Sequence, residues 1–452
     1  MVVQKFGGTS VADPDAVCRL IEIVRTARAR DGRGPVVVVS ALSGVTDALL
    51  LIAAEAGAAR VEQALSQVDR LRGRHVAMVR ALVRGEQTDP LAALIEAEFN
   101  QLADVVKALG VLREVSPGTL DMIAAMGELL SSRIVAGALV EAGLPAEWVD
   151  ARLAIVTSSD YTRAVPLMRE TTAALRAVVS PLVDARRVPV LGGFIGATTE
   201  GHTTTLGRGG SDYSGAIVGV GVGADEIQIW TDVDGMLTAD PRIIPQPRLV
   251  PRLSFAEAAE LAYFGAKVLH PSTIHPAVER NIPVRILNSR KPDGTGTLIT
   301  AEATSGTNPL TAMAAKRDIT VVDITSDRML MAYGFLRRVF EVFERFRTAV
   351  DVVTTSEVSV SVTVDDRRHL DAIVEELSHF AEVAVEPEMA LLCAVGDRLR
   401  AEPSIAARVV GVLEEVPLRM ISQAASRRNI TVIMRQADLP HAMHRLHQEF
   451  FA

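Results

Sequence analysis

The length and composition of the chain describe a globular protein. Its 452 residues are 48% hydrophobic, which predicts a well-buried protein of two to three domains at the usual domain size. The 55 acidic residues outnumber the 47 basic ones, giving a formal net charge of −8, so we expect neither a nucleic-acid partner nor a membrane-surface partner. Any anion would therefore have to bind at a local site.

Cysteine usage and the first residues favour a cytoplasmic protein. The two cysteines, Cys18 and Cys393, are far apart in the sequence and predict neither a disulfide framework nor a metal site. The chain begins with a strand pattern rather than a leader pattern, and we expect no apolar run to approach the roughly 20 residues that cross a bilayer. The protein is therefore expected to be soluble and not exported.

Short apolar runs alternate with amphipathic stretches over residues 1–292. The predicted strands begin at residue 2 and continue with 35–40, 188–194 and 226–231. The predicted helices are 16–29, most of 45–112, 120–142 and 212–221. Strands that are apolar on both faces and alternate with helices indicate a mostly parallel α/β sheet sandwiched by helices. Ligands of such sheets bind beyond the carboxyl ends of the strands, so the glycine-rich turns there are the expected site.

A stretch rich in Gly, Thr and Pro at residues 290–306 indicates a linker to a second region, 307–452. There a pattern of strands and helices occurs twice, over about 318–388 and about 389–452. The second copy stops without its closing strand, whereas residues 310–315 have a strand pattern and no partner. We therefore expect residues 310–315 to complete the second copy, with the first copy inserted within it.

The stretch KFGGTS follows the first predicted strand and is suited to bind phosphate. Gly7 and Gly8 let backbone N–H groups approach a bulky anion, a helix begins shortly afterwards, and Lys5 adds a compact positive charge. It is not a Walker loop, because GxxxxGK[ST] occurs nowhere in the chain. The alternative is a tight strand-to-helix turn with a lysine that reaches solvent.

Three further stretches carry charged and polar residues at predicted strand ends. GRGGSDYS contains Arg208, which is suited to hold a carboxylate through two parallel bonds, and Asp212. WTDVDG supplies Thr231 and Asp232, and FGAKVLHP supplies Lys267. Each stretch alone also fits capping, turn or surface chemistry, and a helix N-cap is the alternative for Asp212. Four such loops in one sheet favour a shared site.

Taken in order, these stretches resemble the aspartate kinases of the amino-acid kinase superfamily. The motifs that carry the resemblance run over nearly the whole chain: KFGGTS, SALSGVTD, MGELLSS, GRGGSDYS, WTDVDG, FGAKVLHP, TTSEVSVS and ASRRNITV. The resemblance implies an amino-acid kinase fold followed by two interleaved ferredoxin-like ACT units of βαββαβ form, and a homodimer built through those units. It also implies transfer of the ATP γ-phosphoryl group, with Mg²⁺, to the β-carboxylate of L-aspartate. The product would be 4-phospho-L-aspartate, the entry to lysine, threonine and methionine synthesis.

The resemblance also implies roles for individual residues. Lys5 would stabilise the transferring group, Arg208 would hold the α-carboxylate of aspartate, Glu128 would hold its ammonium group, and Asp212 would orient Lys5 and the substrate. The other substrate candidates are Ser40, Thr46, Phe194 and Ser211. The nucleotide candidates are Lys5, Gly7, Gly8, Thr9, Thr205, Thr231, Asp232, Leu237, Arg242 and Lys267. Leu237 departs from the pattern, because many members carry an aromatic residue there.

The C-terminal stretch TTSEVSVS resembles the lysine-binding region of lysine-inhibited members and implies feedback inhibition by lysine, or by lysine together with threonine. The candidate effector contacts are Met329, Phe335, Leu336, Val350, Asp351, Ser356 and Glu357. Asp351 could pair with an effector ammonium group, or it could simply end a strand. Ala332 stands where some members have serine, which leaves the identity of the effector open.

Two other interpretations remain at this stage. One is an acyl-phosphate kinase for a different amino acid, against which the paired ACT units and MGELLSS argue. The other is a catalytically silent amino-acid sensor of the same fold, against which the presence of Lys5, Arg208 and Asp212 argues.

Overall fold

A computed structural model describes residues 1–266, 271–302, 308–326, 333–397, 399, 402–423 and 426–452. The chain divides into two compact units: the first is Met1–Met236 with Leu269–Glu302, and the second is Leu237–Val268 with Ala303–Ala452. This division differs from the predicted boundary between residues 292 and 307. The segment 237–268 joins the second unit because its backbone and side chains bond there; for example, the N–H of Met313 donates to the Thr238 carbonyl at 2.8 Å.

Strands and helices are interspersed along the chain as far as residue 236, with helices in succession after β2. In chain order they are β1 (Val2–Phe6), α1 (Pro14–Asp31), β2 (Val36–Val39), α2 (Val45–Gly57), α3 (Val61–Leu82), α4 (Thr88–Leu112), α5 (Pro117–Glu141), β3 (Ala146–Val149), α6 (Met168–Val178), α7 (Ser180–Asp184), β4 (Val188–Gly192), β5 (Ile195–Ala197), β6 (Thr203–Thr205), α8 (Gly210–Val222) and β7 (Glu226–Thr231).

The later part of the chain is richer in antiparallel strands. Its elements are β8 (Arg252–Ser254), α9 (Phe255–Tyr263), α10 (His275–Glu279), β9 (Val284–Asn288), β10 (Thr297–Thr300), β11 (Ala312–Thr325), α11 (Phe335–Arg345), β12 (Val353–Thr355), β13 (Ser359–Val364), α12 (Leu370–Ser378), β14 (Glu382–Val395), α13 (Pro403–Val412), β15 (Leu418–Gln423), β16 (Asn429–Arg435) and α14 (Leu439–Phe451).

The first unit is built on a sheet whose strands run β3-β4-β2-β1-β7-β9-β10. The pairs from β3 to β9 are parallel, and β10 is antiparallel to β9. The four valines of β2 are fully buried, as expected for a strand covered by helices on both faces. The parallel order brings the carboxyl ends of β1, β2, β4 and β7 to one edge. The predicted fold class is confirmed.

Helix α5 is the main buried helix of the first unit. It begins after Ser116, whose hydroxyl accepts the N–H of Thr119, with Pro117 at the first helical position. The helix is long and apolar enough to cross a membrane, and 72% of its most apolar 18-residue segment is buried inside the protein. The expectation that no apolar run has this length is therefore wrong for α5. Because most of it packs in the core, a role as a core helix accounts for its composition.

The second unit contains a six-stranded antiparallel sheet in the order β12-β13-β11-β14-β16-β15. Residues 312–316 of β11 pair with residues 391–395 of β14, and the rest of β11 pairs with the first part of β14. The segment predicted to complete the second copy thus pairs with the opening strand of that copy. Each long strand merges a strand of the first copy with a strand that belongs to the second copy. The merging is possible because Asp318 and Glu388 adopt left-handed conformations that absorb the irregularity between the halves.

Two apolar clusters fill the second unit. One lies beneath α11 and α12 around Val339, Phe343 and Ile373, and the other lies beneath α13 and α14 around Val409 and Leu446. The amphipathic helices cover one face of the sheet in each copy, which is the packing that the repeated pattern predicts.

We expect the substitution Ile134→Ala to reduce the free energy of unfolding by about 2–5 kcal/mol, because Ile134 on α5 is fully buried and its removal leaves a cavity. The matched control is Val140→Ala on the same helix, where the side chain is 41% exposed and the change should be within about 0.5 kcal/mol. Urea denaturation of the purified proteins measures both values. Equal effects would contradict the placement of α5 in the core.

Candidate active site

The KFGGTS stretch forms a tight loop at the carboxyl end of β1. The N–H of Gly7 donates to the Trp230 carbonyl of β7 at 2.9 Å, and a short 3-10 helix follows over Gly8–Val11. The Gly7 amide is thus engaged within the protein, which differs from the expectation that both glycine amides are open to a phosphate. Gly8 and Thr9 remain the candidates for that contact.

Lys5 forms an ion pair at the sheet edge. The residue is only 7% exposed, and its Nζ lies 2.6 Å from Oδ1 of Asp212. Asp212 stands in the first turn of α8, whose N-cap is Gly209, so Asp212 is not the capping residue that the alternative interpretation required. The pair fixes the ammonium group of Lys5 beside the glycine loop.

A cavity of about 540 Å³ opens beside this ion pair. Most of the predicted substrate residues line it, together with two predicted nucleotide residues, Lys5 and Thr205. They are Lys5, Thr46, Glu128, Phe194, Thr205, Arg208, Ser211 and Asp212. Ser40 is not among the described lining residues; its carbonyl accepts a hydrogen bond from the Ser131 hydroxyl at 2.8 Å, which joins the loop after β2 to α5.

Glu128 provides a buried carboxyl group on the α5 side of the cavity. It is 2% exposed, and burial raises its pKa to about 8, although a backbone hydrogen bond from Ala41 and the charge of Lys5 act in the opposite direction. In the ligand-free protein the group is therefore largely protonated at neutral pH. A bound cation would favour the carboxylate form.

Asp121 is a residue that the sequence analysis missed. It lies seven residues before Glu128 on α5 and is 1% exposed. Its carboxylate accepts the N–H of Thr162 at 2.9 Å and the N–H and hydroxyl of Thr205 at 3.0 and 2.6 Å. Asp121 therefore fastens two loops of the cavity wall to α5. The helical spacing of Asp121 and Glu128 on one face of an apolar helix is the signal that could have identified it.

Other lining residues were also missed, and they come mainly from α2 and α5. They are Asp47, Leu50, Leu120, Ala124 and Thr162. Thr205, predicted as a nucleotide contact, lines the same cavity, and its hydroxyl is engaged by Asp121.

Phe194 adopts a strained backbone conformation at the carboxyl end of β4. Its φ is 65°, which is rare for a bulky residue. The backbone is held in this conformation in part because the N–H of Phe194 donates to the Ser214 hydroxyl at 2.9 Å. Gly210 makes room for the ring, since a Cβ there would lie 2.7 Å from Phe194 Cδ2. Such strain is typical of a side chain held in place at a functional site.

The remaining nucleotide candidates are divided between the two units. Thr231 and Asp232 belong to the first unit, at the end of β7. Leu237 and Arg242 belong to the second unit, where the Arg242 guanidinium donates three hydrogen bonds to the Asp240 carboxylate, at 3.0, 3.1 and 2.6 Å. Lys267 lies outside the described residues.

The effector candidates belong to the first copy of the second unit. Phe335 is buried, Val350 is half-buried, and Leu336 and Glu357 are exposed. The Ser356 hydroxyl lies 2.7 Å from the hydroxyl of Ser359. Met329 lies outside the described residues. Asp351 is already paired, because Lys316 Nζ lies 2.9 Å from its Oδ1. Burial acts to lower the pKa of Lys316, but the hydrogen bonds and charges of Asp351 and Asp365 outweigh it and raise the pKa. An effector ammonium group at Asp351 would therefore have to compete with Lys316.

Within the described residues there is no group of three or more His, Cys, Asp or Glu side chains that could hold a metal ion.

Comparison with known proteins identifies the family. A model of the amino acid kinase family matches residues 1–288, and an ACT-domain model matches residues 392–450. The chain is 37% identical to aspartokinase 1, chloroplastic, of Arabidopsis thaliana, over 99% of this chain and 80% of the relative. It is 35% identical to lysine-sensitive aspartokinase 3 of Escherichia coli, over 100% of this chain and 99% of the relative.

Solved structures give the same result. The fold matches the crystal structure of E. coli aspartokinase III in complex with lysine and aspartate, in the T-state, with a TM-score of 0.84 at 35% identity and full coverage of both chains. It also matches the same enzyme in complex with aspartate and ADP, in the R-state, with a TM-score of 0.83 at 34% identity. The chain therefore belongs to the amino acid kinase family and, within it, to the aspartokinases.

Proposed function

We propose that this chain transfers the γ-phosphoryl group of ATP to the β-carboxylate of L-aspartate, and that an amino acid inhibits the reaction through the second unit. The observation that carries the proposal is the single cavity that gathers the Lys5–Asp212 pair, Arg208 and Glu128. A guanidinium group, a carboxyl group and an ammonium group around one space complement the three charged groups of aspartate. The complex of E. coli aspartokinase III with aspartate and ADP supports this pairing of ligands.

In the proposed orientation, Arg208 holds the α-carboxylate of aspartate and Glu128 holds its ammonium group, with Thr46, Phe194 and Ser211 around the carbon chain. The β-carboxylate then faces Lys5. A carboxyl group with an ordinary pKa near 4 is already ionised at neutral pH, so the reaction needs no general base. One β-carboxylate oxygen bonds to the γ-phosphorus, the bond from that phosphorus to the bridging oxygen breaks, and ADP leaves.

The main barrier in this reaction is the repulsion between two anions. Lys5, buried and held by Asp212, places one positive charge where negative charge accumulates during transfer. Mg²⁺ fits as a companion of the ATP phosphates rather than as a resident of a protein cage, since this ion keeps several waters and is bound through substrate phosphates with few carboxylates.

The regulatory part of the proposal concerns the second unit. We propose two ACT units, residues 318–388 and residues 389–452 completed by the strand 310–315, a homodimer formed through them, and inhibition by lysine or by lysine with threonine. The pairing of residues 312–316 with β14 supports this division, and the lysine complex of E. coli aspartokinase III supports the choice of effector. The product would supply lysine, threonine and methionine synthesis in the cytoplasm.

The substitution Lys5→Met should lower kcat by about 10²–10³-fold, because it removes the positive charge beside the transferring group. The control is Lys107→Met, an exposed lysine of α4 paired with Asp104, which should leave kcat unchanged. Aspartate-dependent ADP formation measures both. A Lys5→Met enzyme with near-normal turnover would refute the mechanism, and wild-type protein that forms no ADP with aspartate would refute the function.

The raised pKa of Glu128 predicts that aspartate binds more tightly as pH rises toward 8, because the ammonium group requires the carboxylate form. The substitution Glu128→Gln should weaken aspartate binding and remove this pH dependence. The KM for aspartate between pH 6 and 8.5 measures the effect, with Glu141→Gln at the exposed end of α5 as the control. A Glu128→Gln enzyme with the wild-type pH profile would contradict the role of Glu128.

The same substitution should stabilise the ligand-free protein. Folding raises the pKa of Glu128 from 4.5 to about 8, so its contribution to folding is intact below pH 4.5 and is lost progressively as pH rises toward 8. Gln cannot ionise and avoids this loss, so we expect Glu128→Gln to be more stable than wild type by a few kcal/mol, on the order of 3 kcal/mol at pH 7. Denaturation at pH 5 and pH 8 should show the difference growing with pH.

Millimolar L-lysine should lower the initial rate of aspartate-dependent ADP formation, whereas D-lysine should not. The substitution Asp351→Asn should weaken this inhibition about tenfold or more, because it removes the carboxylate proposed for the effector ammonium group. Asp365→Asn is the matched control, since Asp365 is the other carboxylate beside Lys316, at 3.2 Å. Rates that neither lysine nor threonine changes would contradict the regulatory proposal.

A further inference from the structure

Arg74, on α3, connects the two loops that face each other at the sheet edge. Its Nη1 donates to the Ser43 carbonyl at 2.8 Å, and its Nη2 donates to the Ala12 carbonyl at 3.1 Å. Ala12 ends the 3-10 helix that follows Gly7 and Gly8. Ser43 stands two residues before α2, which carries Thr46 in its first turn. One guanidinium group therefore fastens the glycine loop to the loop that leads into α2, the helix that carries the substrate candidate Thr46.

These two loops are in direct backbone contact. A Cβ on Gly8 would lie 3.1 Å from the Ala41 carbonyl oxygen and 3.6 Å from Ser43 Cα. Nearer the sheet, the N–H of Ser40 donates to the Phe6 carbonyl at 3.0 Å. A side chain at Gly8 would therefore require the loop after β2 to shift by a few tenths of an ångström. The two bonds of Arg74 hold the outer ends of these loops, where the ladder between β1 and β2 no longer acts.

We propose that Arg74 is a positioning residue for phosphoryl transfer, setting the distance between the bound phosphate and the acceptor carboxylate through the Ala12 and Ser43 carbonyls. The inference rests on the proposed function. Arg74 does not line the cavity among the described residues, so it acts through the loops rather than on the substrate. An error of about 1 Å between donor and acceptor lowers the rate by about 10²-fold, whereas each loop alone can still bind its own ligand.

The chemistry of the side chain explains why an arginine is suited to this position. A guanidinium group carries donors in a rigid planar fork and can bond two carbonyls at a fixed separation. A lysine at the same position presents one compact ammonium group on a flexible stem. The helix α3 also packs against α4, with His75 buried against the ring of Phe99, so the fork projects from a fixed support.

The test compares Arg74→Met, Arg74→Lys and Arg80→Met in the full-length protein, by steady-state kinetics and thermal unfolding. Arg80 is an exposed residue near the end of the same helix and serves as the matched control. We expect Arg74→Met to lower kcat by about 10–100-fold, with KM for ATP and aspartate changed less than about threefold. Arg74→Lys should retain an intermediate kcat, and Arg80→Met should match wild type.

A folded Arg74→Met enzyme with wild-type kcat would overturn the inference, and so would a kcat loss fully explained by a smaller folded fraction. If Arg74→Met does not fold, Arg74→Lys decides, and a wild-type kcat for that variant would overturn the inference. Failure of the proposed function has a different signature, because the wild-type protein itself would then form no ADP with aspartate. An active wild type with an unaffected Arg74→Met refutes only the role of Arg74.

Discussion

A positively charged group buried at the carboxyl edge of a parallel sheet is the constraint on which the proposed chemistry depends. Lys5 stands on the central strand β1, and its ammonium group is held in place by Asp212 from the first turn of α8. An ammonium group that water could surround would be screened and mobile, and would do little for two approaching anions. Burial strengthens the electrostatic interactions of the ammonium group, and the carboxylate of Asp212 offsets part of the free-energy cost of removing that group from water.

The opposite side of the cavity uses burial in a different way. Glu128 forms no ion pair with the residues that the structure describes, and burial raises its pKa because it disfavours the charged form. A ligand ammonium group beside Glu128 would favour its carboxylate form. Selectivity for an amino acid over a simple dicarboxylate would then follow, because a ligand without the ammonium group leaves Glu128 protonated and unpaired. Asp121, by contrast, spends its hydrogen-bonding capacity on Thr162 and Thr205 and so shapes the wall.

The second unit is held together by two long strands that each serve both copies. Because β11 and β14 pair with each other on both sides of the irregularity between their halves, neither copy has an independent sheet. The two shared strands connect the copy that carries the proposed effector contacts to the other copy. Lys316, a residue of β11, forms the ion pair with Asp351, and an ammonium group that competed for Asp351 would alter this pair.

The sequence by itself determined the fold class, the position of the glycine loop, the repeat and the family. Apolar periodicity, KFGGTS and the ordered motifs are local properties of the chain, so they can be read from the sequence alone. Only the tertiary structure shows how certain groups are paired. The Gly7 N–H bonds within the sheet, and Asp121 and Arg74 fasten loops that are distant in sequence. Asp351 is paired with Lys316, and the Ser40 carbonyl accepts a hydrogen bond from α5 while the residue does not line the cavity. The reason is that a hydrogen-bond partner is chosen by which groups folding brings together, and residues 31 or 84 positions apart leave no periodic trace of that choice.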